Sequence, residues 1–206
     1  MYKNYIKRGL DVAVSLLALP FVGLSFIVCA PLIWMEDRGP VFYNALRRGR
    51  NGAVFTMYKY RSMRVDAPVM KNRDGSAYSG ADDPRVTKIG RAMRKLSIDE
   101  LPQILNVLKG DMSLVGPRPN LASGPYEALD EVRKKRLTVR PGLTGYSQAY
   151  FRNSIDQEQK FWNDCYYVDH VSLGFDLKIL MRTVLSVLGA KNVDYQESNV
   201  KKDVAQ

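Results

Sequence analysis

Two adjacent carboxylates, Asp99 and Glu100, stand in the stretch Ser97-Ile98-Asp99-Glu100-Leu101-Pro102-Gln103. Acids at a helix start have two uses. They cap the helix, because its first N–H groups lack partners and its dipole is positive there. The same field favours an ionised carboxylate, which is a nucleophile or a ligand for a hard metal ion. Ser97 followed by Glu100 fits a capping box, Pro102 moves the start toward Asp99, and Gly110 is a stop signal, so the spacing predicts a helix from about Asp99 to Lys109. Taken alone, these two acids are ordinary caps. Their neighbours argue for more. Lys88, Arg91, Arg94 and Lys95 make the preceding segment a short basic helix. Gly116-Pro117-Arg118-Pro119 fixes one guanidinium between two prolines, and Arg140-Pro141-Gly142 with Gly145 offers a second such turn. Rigid turns that present arginine suit bidentate phosphate binding. Together these parts suit a diphosphate facing an ionised aspartate.

The rest of the chain limits the chemistry further. Lys and Arg number 31 against 21 Asp and Glu among 206 residues, a net charge of +10. That surplus favours an anionic partner: nucleic acid, a membrane surface or a phosphorylated substrate. The single histidine, His170, and two cysteines, Cys29 and Cys165, argue against a zinc site, a His-based triad or a disulfide framework. Walker A and GxGxxG patterns, repeats and nucleic-acid-reading motifs are missing, so no nucleic-acid partner is expected.

Val12 to Met35 carries no charge and is long enough to cross a bilayer as a helix. A cleaved signal peptide fits poorly: the run is long, and Pro31 would follow the faint cleavage site Val28-Cys29-Ala30. Lys3, Lys7 and Arg8 precede the run, and Arg38, Arg47, Arg48 and Arg50 follow it, so charge gives no inside–outside asymmetry. Pro20, Gly23 and Pro31 interrupt it. The pattern leaves open a spanning helix and a helix that enters and returns on one face. Asp11, with Lys7 and Arg8 one turn earlier, is read as an interfacial ion pair or a solvated carboxylate.

Beyond Gly39-Pro40, Val41–Tyr43 and Val54–Tyr60 are β-prone, and Asn51-Gly52 between them signals a hairpin. Lys59 and Arg61 alternate with Tyr58 and Tyr60, giving that strand one basic face. Arg47, Arg48 and Arg50 sit by the turn, where they would touch lipid phosphates or bind phosphate in a site. Residues 66–84 read as a loop. A charged helix is expected over 127–136 and a helix over 159–167. Tyr146–Arg152 would line a sugar or base site, or form a strand and turn. His170 is read as structural. Residues 175–188 read as an amphipathic helix, packed in the core or lying on a membrane, and the chain from Asn192 as a frayed tail.

The ordered set Lys7-Arg8 with Asp11, Gly39-Pro40-Val41-Phe42, Tyr58-Lys59-Tyr60-Arg61-Ser62-Met63, Asp83-Pro84-Arg85-Val86-Thr87, Ser97–Gln103, Asn106–Ser113, Val115–Pro119, Arg140–Gly145 and Asp176–Leu180 resembles the bacterial sugar transferases of the small monotopic phosphoglycosyl transferase type. The resemblance covers nearly the whole chain. It implies an α/β (α+β, helix-rich) fold: a re-entrant membrane helix over residues 1–38, a catalytic domain with a β-hairpin and membrane-associated amphipathic helices over 39–190, and a flexible tail over 191–206. It implies that Asp99 attacks the sugar-linked phosphate of a UDP-sugar, releases UMP, and passes the phosphosugar to undecaprenyl phosphate at the cytoplasmic face of the bacterial inner membrane. Glu100 would bind Mg²⁺. Arg118 and Arg140 match the family's phosphate- or nucleotide-contacting arginines, with Lys59, Arg61 and Arg94 as further substrate-binding candidates. Residues 151–155 resemble relatives using N-acetylated amino sugars, so a UDP-N-acetyl amino sugar is the first expectation for the donor, with UDP-glucose or UDP-galactose behind it. A homodimer is left open. One departure stands out: the family breaks its membrane helix at a Ser-Pro pair about a dozen residues after the Asp, and this chain has Gly23-Leu24 there, with Pro20 the nearest breaker. The competing class is a non-catalytic membrane-surface protein whose basic face binds anionic lipid or a glycan-assembly partner.

Overall fold

The computed structural model describes residues 2–70, 78, 83–151 and 154–188. After a π-helical turn, Tyr2–Ile6, come α1 (Lys7–Asp37), the strands β1 (Ala45–Arg48) and β2 (Val54–Met57), α2 (Lys88–Lys95), a 3₁₀ turn (Ile98–Glu100), α3 (Gln103–Lys109), β3 (Ser113–Val115), α4 (Glu131–Arg136), β4 (Gly142–Thr144), α5 (Tyr146–Tyr150), α6 (Gln157–Asp169) and α7 (Leu173–Leu188). β1 and β2 form an antiparallel hairpin, Ala45 opposite Met57 and Arg48 opposite Val54, while β3 and β4 form a two-stranded parallel pair. The architecture is therefore α+β and helix-rich, with small sheets in place of a continuous one.

α1 is helical throughout Lys7–Asp37, through both Pro20 and Pro31. Its inward stripe is Asp11, Ser15, Val22, Cys29 and Ile33, at spacings of about one or two turns. The remaining surface is apolar and bare: Leu17 is 75% exposed and Ile27 70%. A bare apolar surface that large on a water-facing protein would be unusual. The helix is long and apolar enough to cross a membrane by length and composition.

Both ends of α1 are bonded to the rest of the protein. At the start, Arg8 donates to the last carbonyls of α3, Val107 O at 2.5 Å and Leu108 O at 2.8 Å, at a helix end that intrahelical bonds serve incompletely. Asp11 is buried and accepts from Ser113 Oγ and Leu114 N at 3.1 and 3.0 Å. It is neither an ion pair with Lys7 or Arg8 nor a solvated carboxylate; it fastens the start of β3. Lys7 instead pairs with Asp176 of α7 at 2.6 Å. At the other end, Glu36 accepts from the first N–H groups of α2, those of Lys88 and Ile89, a favourable place for a negative charge. Asp37 takes two bonds from Arg61 at 2.5 Å each.

The main core joins Val22 of α1, Phe55 and Met57 of β2, Ile104 and Val107 of α3, Leu114 and Val115 of β3, Tyr167 of α6 and Ile179 of α7. A smaller cluster gathers Cys29, Ile33, Tyr60 and Met93. The hairpin turn uses left-handed backbone at Asn51 and Gly52, with φ of 54° and 83°, as the Asn-Gly signal requires. The charged helix expected from residue 127 begins at Glu131, because Asp130 caps it by accepting from Arg133 N. Residues 146–150 form a short helix whose Tyr146 packs among Tyr150, Phe151, Tyr166 and Phe175. His170 ends α6, its Nδ1 2.8 Å from Tyr166 O. Much of the loop expected over 66–84, and the tail from Asn192, lie outside the described residues.

Asp83 is wholly buried and accepts from Arg85 N, Nε and Nη2 at 2.7–3.0 Å. Those bonds from Arg85 outweigh burial and hold the Asp83 carboxyl below its ordinary range. Stability contributed by a depressed carboxyl is full above its unfolded pKa, about 4, and is lost as pH falls through the folded value. Asp83→Asn is therefore expected to cost about 3 kcal/mol at pH 7. Its deficit against the wild type should shrink below about pH 4, measured by thermal denaturation in detergent across pH.

Candidate active site

Asp99 and Glu100 lie on the 3₁₀ turn that precedes α3, not on α3 itself. The capping box does not form: Ser97 has φ of 57° and makes no side-chain cap bond. Pro102 displaces the α-helical start to Gln103, and Gly110, at φ 94°, ends the helix where expected.

The acidic turn is positioned through the backbone of residues 58–61. Tyr60 N donates to Asp99 O at 3.0 Å, Tyr43 N to Lys59 O at 2.8 Å, and Arg61 N to Val41 O at 2.9 Å. Asn106, wholly buried on α3, holds the same strand: its side chain accepts from Tyr58 N at 2.9 Å and donates to Thr56 O at 2.8 Å. Alternation along extended backbone then sends Tyr60 into the core and Lys59 the other way. Lys59 Nζ lies 2.7 Å from Asp99 Oδ2 and 3.3 Å from Glu100 Oε1. One ammonium thus serves two carboxylates. Asp99 is only 2% exposed.

Arg118 completes the group, with Nη2 2.8 Å from Glu100 Oε1 and half of its side chain open to solvent. Two glycine-bearing turns set its place. Gly116 N donates to Thr144 O and Gly142 N to Pro117 O, each at 2.9 Å. The backbones meet so closely that a Cβ on Gly142 would lie 2.1 Å from Gly116 N. Beneath the loop, Arg136 donates to Arg118 O at 2.7 Å while paired with buried Asp164 at 2.6 Å. Burial works to raise the Glu100 pKa, but the charges of Arg118 and Lys59 outweigh it and hold the carboxyl well below its usual range. Glu100 in turn raises Arg118.

Arg47 on β1 belongs to this cluster. The loop after Arg118 runs beside β1: Arg48 N donates to Asn120 O at 3.0 Å, and Arg47 is bridged to Leu121. Burial lowers the Arg47 pKa, and Arg118 adds repulsion that Tyr43 and Glu100 offset only in part. Its Nε is buried without a hydrogen-bond partner. Such a donor is costly unless an acceptor arrives. Its position beside the Asn-Gly turn gave a hint, but nothing in the sequence separated it from Arg48 and Arg50. Arg48 is buried and tied to carbonyls, the shortest contact being 2.6 Å to Gly124 O.

The other basic candidates divide. Arg94 donates from Nε to Ser62 Oγ at 2.9 Å; burial lowers its pKa and the charge of Asp99 opposes this, which puts it at the edge of the site. Arg61 and Arg140 do not meet the acidic pair. Arg61 is buried and committed to Asp37, Pro40 O and Met63 O, so it holds the end of α1. Arg140 donates to Gly110 O at 2.9 Å and faces Arg8 and Arg50 near the opposite end of α3. In the segment 151–155, Arg152 and Asn153 lie outside the described residues.

Among the described residues, no three His, Cys, Asp or Glu side chains gather as a metal cage. Asp99 and Glu100 are nevertheless two adjacent hard-oxygen donors, which fits Mg²⁺: that ion takes one or two carboxylates and fills its sphere with water and substrate phosphate.

A buried aspartate and its neighbouring glutamate, met by lysine and arginine, thus stand in a chain whose first helix is long and apolar enough to cross a membrane. The family model described as bacterial sugar transferase matches residues 2–190, and the chain belongs to that family. It is 43% identical over 196 residues to galactosyl transferase CpsE of Streptococcus agalactiae, covering 90% of this chain and 43% of that one. It is 42% identical over 195 residues to the uncharacterized sugar transferase EpsL of Bacillus subtilis, covering 94% of this chain and 92% of that protein. A third relative, the UDP-N-acetylgalactosamine-undecaprenyl-phosphate N-acetylgalactosaminephosphotransferase of Aeromonas hydrophila, is 37% identical over 189 residues, with 89% of this chain and 44% of that one covered. The chain thus spans less than half of CpsE and the Aeromonas protein and nearly all of EpsL.

The contact of Gly142 with Gly116 yields a direct test. Gly142→Ala should lower the unfolding free energy by about 3 kcal/mol or more, since the clash is with backbone. Gly9→Ala, with nothing within 4 Å of the new Cβ, should be neutral or slightly stabilising in thermal denaturation.

Proposed function

We propose that this chain transfers a phosphosugar from a UDP-sugar to undecaprenyl phosphate, through a covalent phosphosugar on Asp99. The observation that carries the reading is the buried Asp99 carboxylate, 2.7 Å from Lys59, beside a Glu100 held by Lys59 and Arg118. In the first half-reaction an Asp99 oxygen attacks the sugar-linked phosphorus. The bridging P–O bond breaks and its electrons leave on UMP. In the second, a phosphate oxygen of undecaprenyl phosphate attacks the same phosphorus, and the Asp99 carboxylate leaves. A polyprenyl diphosphate sugar results.

The chain's own residues supply the charge control this needs. Lys59 orients Asp99 and can shift onto the transferring phosphoryl oxygens, where positive charge is worth most in the transition state. Arg118, half open to solvent, is placed to meet the incoming diphosphate. Arg47, with its unpartnered Nε, is a further donor for that group. Glu100 would hold Mg²⁺, which when bound neutralises diphosphate charge. For the donor sugar, an N-acetylated amino sugar stands first, in keeping with the Aeromonas relative's name.

The membrane arrangement is read from α1. Arg8 and Asp11 at its start, and Glu36 and Asp37 at its end, all bond to the same domain. Polar groups bonded to one water-facing domain belong on one side of a bilayer. The helix therefore dips into the cytoplasmic leaflet and returns to that face. The bare apolar stripe of α7, including Leu177, Met181 and Leu185, together with Trp162, rests on the same surface.

Asp99→Asn should reduce UMP release from a UDP-sugar by at least about 10³-fold while the protein stays in the membrane fraction, and Glu100→Gln by about 10²-fold. Mass spectrometry of the wild type with donor alone should find the phosphosugar mass on the peptide carrying Asp99. Near wild-type turnover in Asp99→Asn would sink the mechanism. For topology, single cysteines at positions 3 and 38, in a Cys29→Ser, Cys165→Ser background, should both resist a membrane-impermeant maleimide added from the periplasmic side. Labelling of either from that side would exclude re-entry.

A further inference from the structure

A second cationic cleft lies at the start of α1, lined by Lys3, Lys7, Arg8, Asp11, Arg50 and Arg140 among others. Its charges are not balanced. Lys7 is paired with Asp176, and Asp11 is already engaged by Ser113 and Leu114. Arg8 is spent on two carbonyls and Arg140 Nε on a third, so neither charge meets a carboxylate there. Lys3 and Arg50 are exposed and have no ion pair among the described residues. Arg140 shows the consequence: burial lowers its pKa, and Arg8 and Arg50 lower it further.

The cleft is separate from the acidic pair. Arg8 and Gly110 mark the far end of α3, whereas Asp99 precedes its near end. The seven residues of α3 between them span about 10 Å at helical rise. A phosphate held here is not in place to react with Asp99. Lys7, Arg8 and Asp11 of the cleft stand on the first turns of the apolar helix, where Ile6, Leu10 and Val14 are 40–45% exposed. An anion with an apolar tail suits that junction better than a free ion does.

We propose that this cleft binds the phosphodiester headgroup of an anionic membrane phospholipid, as a site distinct from the acidic pair. The lipid supplies the missing negative charge and fixes the depth at which the start of α1 meets the bilayer. Basic residues at such a surface each contribute appreciably to anionic lipid binding, and a cleft gathers several on one phosphate.

The test reads binding without substrate, so it is independent of the catalytic proposal. Full-length protein in neutral maltoside detergent is titrated with dihexanoyl phosphatidylglycerol below its micelle concentration, following the unfolding midpoint and, by native mass spectrometry, the bound lipid. Wild type should bind saturably. Lys3→Gln with Arg50→Gln should bind about tenfold more weakly, with its lipid-free midpoint unchanged, since both side chains are exposed. The charge-matched pair Lys88→Gln with Lys95→Gln, on α2, should keep wild-type affinity. Equal affinity in the Lys3/Arg50 variant, or an equal loss in the α2 variant, would overturn the site. Equal stabilisation by inorganic phosphate at the same concentration would overturn the assignment to a lipid.

Discussion

The structure turns on Tyr60. Its N–H holds the backbone of Asp99, its ring is buried against Cys29, Ile33 and Met93, and its hydroxyl lies 2.9 Å from Ser25 Oγ of the apolar helix. A single residue thus ties membrane helix, hairpin strand and acidic turn together. Because extended backbone alternates sides, burying Tyr60 sends Lys59 toward the two carboxylates. Asn106 makes the arrangement rigid by bonding the same strand from α3. The site is therefore set by a strand that cannot slide without exposing a large aromatic ring and stranding buried polar groups.

Charge is organised in the same economical way. Many basic residues that no local pattern distinguishes in the sequence have separate tasks in the fold. Arg8 closes α3, Arg61 closes α1, Arg85 neutralises buried Asp83, and Arg136 supports the Arg118 loop from below. Lys59, Arg118 and Arg47 remain around the acids. Within that group the positive charge exceeds what Asp99 and Glu100 balance, and Arg47 carries an unpartnered donor. A site with surplus cations around a buried carboxylate suits an anionic ligand, which is what the proposed phosphoryl transfer requires.

The hairpin was legible because Asn51-Gly52 states a turn type in two residues. The helix end at Gly110 was legible for a similar reason, and the long apolar run because no charge interrupts it. The start of α3 departs from its local spacing: Ser97 and Glu100 have cap spacing, yet Ser97 adopts left-handed backbone and a 3₁₀ turn intervenes. Pro102 carried the information, since its ring admits only the first turn of a helix. Asp11 was not legible, because its neighbours in sequence, Lys7 and Arg8, are not its partners in space. Those partners lie in the segment 113–114, about a hundred residues on.

The sequence by itself determined the apolar helix, the types of most elements, the adjacency of Asp99 and Glu100, and the presence of rigid arginine turns. These are local properties, fixed by hydrophobic periodicity, glycine and proline backbone limits, and bonds between consecutive residues. Tertiary structure alone decided which cations meet those acids. It drew in Lys59, Arg118 and Arg47 and assigned Arg61 and Arg140 elsewhere. The physical reason is reach. A long charged side chain pairs with whatever the packing of distant segments brings within a few ångströms, and no local spacing rule encodes that distance.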